Sequence, residues 1–199
     1  MKLFDLGVRT DTRFKGHSES EFAYLNQSAR PSVLALHTLL EDWFQHFPNA
    51  SQADLRSRFR SPDDNQHAGA FFELYVHELL RKLEHEITVH PGLSGVSTHP
   101  DFLVRRSDGC QFFLEATLAG IPKKPEQGAS ARIAQVYDVL NRLDSPDFFL
   151  HVRVNGSPSS PPPAAKLRTD VGKWLRTLDV EEVSRAGQAG DFDRVPKFH

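Results

Sequence analysis

The segment HPDFLVRRSDGCQFFLEATLA, residues 99–119, carries one carboxylate inside each of two apolar runs, Asp101 in the first and Glu115 in the second. A charge taken into apolar surroundings is costly unless it is paired, exposed or bound to a cation. The Ser107-Asp108-Gly109 turn between the runs allows two hairpin registers. With a two-residue Asp108-Gly109 loop, Ser107 pairs with Cys110 and Asp101 falls opposite Ala116, which sends the carboxylates to opposite faces. With a three-residue loop and a left-handed Gly109, Arg106 pairs with Cys110. Asp101 then lies opposite Glu115, about 5 Å away at Cβ. Facing carboxylates repel unless something cationic lies between them. Two converging oxygen-bearing chains suit a hard cation such as Mg2+, which takes one or two carboxylates and keeps its waters. Thr117 shares a strand face with Glu115. Glu73, in AFFELYVHELL, sits beside the stripe residue Phe72 on a predicted helix and is placed to look along the sheet. The sequence alone leaves the register open.

These residues need a scaffold, and the apolar spacing supplies one. Residues 1–30 are polar and irregular. Val33, Leu36, His37, Leu40, Trp43, Phe44 and Phe47 recur at helical spacing behind Pro31, predicting a helix that ends near Pro48. ADLRSRFR adds a short helix before the polar break SPDDNQ. Residues 68–84 form a second strong helix, with Phe72, Val76, Leu79 and Leu83 as its apolar stripe. ITVH, residues 87–90, reads as a strand, followed by the hairpin. ARIAQVYDVLNRL is helical, DFFLHVRVNG (147–156) a fourth strand, SPSSPPPAA a surface loop and KLRTDVGKWLRTLD the last helix. The tail is irregular. Helices on both faces of a mixed sheet, with the fourth strand parallel, would explain strands that are apolar on both sides. The expected class is therefore α/β. Its boundaries are an N-terminal helical extension over 1–62, a core over 63–180 and an irregular tail over 181–199.

Composition narrows the function classes. The chain has 199 residues, with 24 Lys and Arg against 26 Asp and Glu, and a formal charge of −2. That balance argues against a generally basic nucleic-acid tail but leaves room for a local basic groove. Cys110 is the single cysteine, so no intrachain disulfide forms and a reducing compartment is expected. No segment has the length of a membrane span, and the N-terminus meets Asp5 too early for a signal peptide, so the expectation is a cytoplasmic protein without a membrane partner. Zinc-type Cys/His clusters, GxSxG and phosphate-binding glycine loops are absent. Cys110 has no recognisable base partner. His77 and His99 read as surface or supporting residues, and Trp43 and Trp174 as core.

Glu73 in AFFELYVHELL, Pro100-Asp101 in HPDFLV and Glu115 in FFLEATLA together resemble the PD-(D/E)xK nuclease superfamily over roughly residues 68–155. The resemblance implies a restriction-endonuclease-like αβββαβ core and Mg2+- or Mn2+-dependent hydrolysis of phosphodiesters in nucleic acid, DNA ahead of RNA. It implies a metal held by Asp101, Glu115 and the carbonyl of Ala116, with Glu73 orienting a metal-bound water. The position of the superfamily's lysine is Thr117, which cannot supply its charge. Lys123, Lys124 or Arg132 would then have to bring a cation from elsewhere, and Gln135 resembles a polar residue often found on the following helix. Each has a plainer reading: Thr117 as a β-branched strand residue, the lysines as a solvated loop, Gln135 as helix surface. The rival function is a relative that keeps the fold, lacks the lysine and binds nucleic acid or assembles without cutting.

Overall fold

The computed structural model describes residues 1–93, 99–119, 124–156, 158–191 and 193–198, with residues 124–127 by backbone alone. Among them are seven helices and one three-stranded antiparallel sheet. They divide into two compact units, one of Met1–Lys15 and Glu19–Ile121, the other of Gly16–Ser18 and Pro122–His199.

The first unit holds four helices and the sheet. Helix α1 (Glu21–Gln27) starts where the Ser20 hydroxyl accepts the Ala23 N–H, and α2 (Pro31–His46) starts on its proline. Helix α3 (Gln52–Phe59) leads into α4 (Asp64–Lys82), whose first turn is capped by Asp63 accepting the Asn65 N–H. The N-terminal segment is not an irregular appendage. Leu3 and Phe4 are buried with Leu40, Phe44, Phe47, Leu55, Phe59, Ala70 and Leu74 in one core. The boundary expected at residue 62 therefore falls inside a shared core, since α4 buries one side against α2, α3 and the N-terminus.

The burial of α4 also differs from the apolar stripe. Leu79 and Leu83 are 44% and 56% exposed, while Glu73, His77 and Glu78 are buried. The buried arc runs through Ala70, Glu73, Leu74, His77 and Leu80; Arg58 on α3 pairs with one oxygen of Glu73, and the rings of Phe47 and Phe102 pack on His77. The other flank of α4 covers the sheet, where Val76 and Leu80 pack on Phe102 and Val104.

Strands β1 (Glu86–Val89), β2 (Phe102–Arg105) and β3 (Gln111–Leu114) pair in sequence order. The hairpin takes the three-residue loop. Phe102 pairs with Leu114 and Arg105 with Gln111, the Arg106 N–H donates to the Cys110 carbonyl, and Gly109 has φ 85°. That left-handed backbone is the glycine's contribution, closing the turn in a bulge.

The second unit contains α5 (Lys124–Leu140), α6 (Ala164–Leu175) and α7 (Val180–Gln188). Helix α7 takes the first part of the tail expected to be irregular, and the described residues after Gln188 form no helix or strand. Asp179 caps α7 by accepting the Glu182 N–H, and Glu181 and Glu182 sit in its first turn, favourable for the helix dipole. The fourth strand over 147–156 is not formed: no residue there pairs with a strand among the described residues. The sheet is therefore purely antiparallel, and the parallel crossover of the expected αβββαβ core is not observed. No helix among the described residues is long and apolar enough to cross a membrane.

Candidate metal centre

Glu73 projects from the middle of α4, one helical turn before His77. Its side chain is buried, with the residue 3% exposed. Asp101 sits immediately before β2 and His90 immediately after β1, bound by the His90 N–H donating to the Asp101 carbonyl at 2.9 Å. Strand alternation would carry the His90 side chain to the face opposite Val89. A φ of 45° takes His90 out of that alternation, a left-handed backbone uncommon for a residue other than glycine and immediately followed by Pro91. The result is a cluster in which ligand atoms of Glu73, His90 and Asp101 all lie within 4.8 Å of one another.

The two oxygens of Glu73 have different surroundings. Oε2 lies 2.6 Å from Nη2 of Arg58, on α3. Oε1 lies 3.2 Å from His90 Nε2, out of line for a good hydrogen bond, and is buried without a donor among the described residues. Burial pushes the Glu73 carboxyl above its usual pKa. The Arg58 and His90 charges pull it back down and Asp101 pushes it further up. A buried oxygen without a donor is costly, and a cation shared with His90 and Asp101 would satisfy it.

Asp101 also ends the sheet. The Arg106–Cys110 bond fixes which pairs of the ladder are hydrogen-bonded, and alternation would have the Ala116 N–H donate to the Pro100 carbonyl. It donates instead to Asp101 Oδ2 at 2.7 Å. The ladder stops at the Phe102–Leu114 pair. Asp101 and Glu115 are thus opposite by register, yet outside the ladder.

The structure brings together Glu73 and Asp101 from the sequence-derived set and adds His90 and Arg58. Of the expected metal set of Asp101, Glu115 and the Ala116 carbonyl, Asp101 belongs to the group of acidic and histidine side chains that gathers. Glu115 is exposed and outside the cluster, and Ala116 engages Asp101 through its N–H. Thr117 is exposed. Gln135 is exposed on α5 of the second unit, where the Arg132 Nε–H donates to the Pro158 carbonyl. Lys123 lies outside the described residues, and Lys124 opens α5 with its backbone alone described. His90 could have been found from its place at the end of ITVH, one strand from Asp101. Nothing local in ADLRSRFR marks Arg58 as part of the site, because Glu73 lies in the next helix.

A second group, Asp42, His46 and Glu78, also has ligand atoms within 4.8 Å. Here the buried Glu78 is saturated, accepting from Arg81 Nε and Nη2 at 2.7 and 2.8 Å, with His46 Nδ1 at 3.2 Å. Arg81 and His46 together hold its carboxyl below the usual value. It reads as an ion-pair network at the edge of the core, with Glu78 buried and Asp42 and His46 exposed.

Comparison with known proteins returns no match, whether to a protein-family model, a curated protein or a solved structure. The residues and their geometry carry the functional reading.

Proposed function

We propose that the chain is a metal-dependent phosphodiesterase acting on nucleic acid, DNA ahead of RNA, with its divalent cation held by Glu73, His90 and Asp101. The observation that carries this reading is Glu73 Oε1, buried without a donor among the described residues and close to an imidazole and a second carboxylate. Two carboxylates with one imidazole suit Mg2+ or Mn2+, the imidazole favouring manganese. Bound there, such an ion would polarise a phosphate and lower the pKa of a coordinated water. The left-handed His90 supports the same reading, since backbone strain of this kind clusters at functional sites. His90 and Asp101 are half-buried and so reachable from solvent. The Ala116 N–H holds Asp101 Oδ2 in place and leaves Oδ1 for a ligand.

The test is a cleavage assay on a mixed panel of single- and double-stranded DNA and RNA, with Mg2+ or Mn2+. The wild type is expected to cut at least one substrate in a chelator-sensitive way, and Asp101→Asn to reduce cutting to background. Metal-dependent binding of nucleic acid without cleavage would favour the non-catalytic relative instead, consistent with threonine at position 117.

A further inference from the structure

Resting on that reading, we propose that Arg58 is the anion-binding residue of the site, held by Glu73 until a cation arrives and then turned to the substrate phosphate. Thr117, exposed two residues after Glu115, brings no charge to the site. Arg58 brings one from α3. Its guanidinium reaches Glu73 Oε2 at 2.6 Å, on the other oxygen of the carboxylate whose Oε1 faces His90 and Asp101. A divalent ion on Oε1 and a guanidinium on Oε2 are like charges sharing one carboxylate. Each weakens the other's hold on Glu73.

Arg58 can leave that oxygen. Its side chain is 32% exposed, and a second carboxylate, Asp54 one turn earlier on α3, already accepts from its Nε at 2.9 Å. A guanidinium that is charged at all working pH values and presents a planar fork of donors matches a phosphate diester. The ion pair thus has two exits, to Asp54 in the free protein and to phosphate in the complex. Cation binding and anion binding are coupled through Glu73, and each must promote the other by the same factor.

The experiment compares wild type, Arg58→Gln, Arg58→Lys and Glu73→Gln by calorimetric titration with MnCl2. Fluorescence anisotropy then follows a phosphorothioate oligodeoxynucleotide with and without manganese. Arg58→Gln is expected to bind manganese about tenfold more tightly, a competing charge having been removed, and the oligonucleotide about tenfold more weakly when manganese is present, as for one lost contact of about 1.4 kcal/mol. Arg58→Lys, which keeps the charge and guards against a folding defect, should bind manganese like wild type and recover part of the oligonucleotide affinity. Unchanged or weaker manganese binding by a folded Arg58→Gln, with binding abolished in Glu73→Gln, overturns the role of Arg58 and leaves the metal centre standing. Failure of the wild type to bind manganese overturns the metal centre itself.

Discussion

Glu73 and His77 stand one turn apart on α4 and respond to pH in opposite directions. Burial holds the His77 imidazole neutral, lowering its pKa from 6.5 to about 4, and its Nδ1 has no partner among the described residues. The unfolded chain takes up this proton from pH 6.5 downward, whereas the fold resists it until about pH 4. Stability should therefore fall through that window, by at most roughly 3 kcal/mol at 1.36 kcal/mol per unit. Glu73 is raised above 4.5, so its contribution is full below 4.5 and is lost as pH rises through the folded value. Urea unfolding of wild type and His77→Leu between pH 7 and 4 separates the two: the variant should lose less stability on acidification. Equal losses would assign the acid sensitivity elsewhere. Neither behaviour was legible in the sequence. His77 reads there as a surface or supporting histidine, because the rings of Phe47 and Phe102 that surround it come from α2's end and from β2.

Elements were more readable than their faces. The alternation of 99–119 and its Asp-Gly turn narrowed the hairpin to two registers, and the one formed depends on Gly109 at φ 85°. Gly109→Val should destabilise the protein by about 1–2 kcal/mol, the cost of a left-handed backbone for a residue with a Cβ, while Gly109→Asn should lose less. Chemical denaturation decides, and equal midpoints for both variants would show that the bulge does not set the register. The 3.6-residue spacing predicts a helix from Pro31 to near Pro48 and another over 68–84; the first forms over 31–46, and the second starts four residues earlier than that, inside SPDDNQ, and ends at Lys82. The buried side of α4 is legible only in part: Glu73 reads at the edge of the stripe, but hydrophobic periodicity weighs the exposed Leu79 and Leu83 as core and gives no sign that Glu78 is buried. Arg58 and Arg81, the partners that make those carboxylates tolerable, carry no periodic signal. The stretch 147–156 failed for another reason: alternation describes one strand, and a strand is stabilised by cross-strand neighbours that a pattern cannot name.

At the scale of the whole chain, the division expected at residue 62 is replaced by a core that runs from Leu3 to Leu74. Removing residues 1–62 would strip that core from α4 and take Arg58 from Glu73. The truncated chain should lack cooperative unfolding by circular dichroism, and a stable, cooperative fragment would restore the N-terminal segment to the status of an extension. The site proposed in the first unit, built by α4 and the ends of β1 and β2, would hold a divalent cation. The most direct measurement is the 1H–15N spectrum of the isotopically labelled protein as substoichiometric MnCl2 is added. A paramagnetic ion at this site should erase the signals of Glu73, His90, Asp101 and Ala116 first, and Asp101→Asn should prevent it. Uniform broadening, or loss centred on Asp42, His46 and Glu78, would rule out a cation at Glu73, His90 and Asp101.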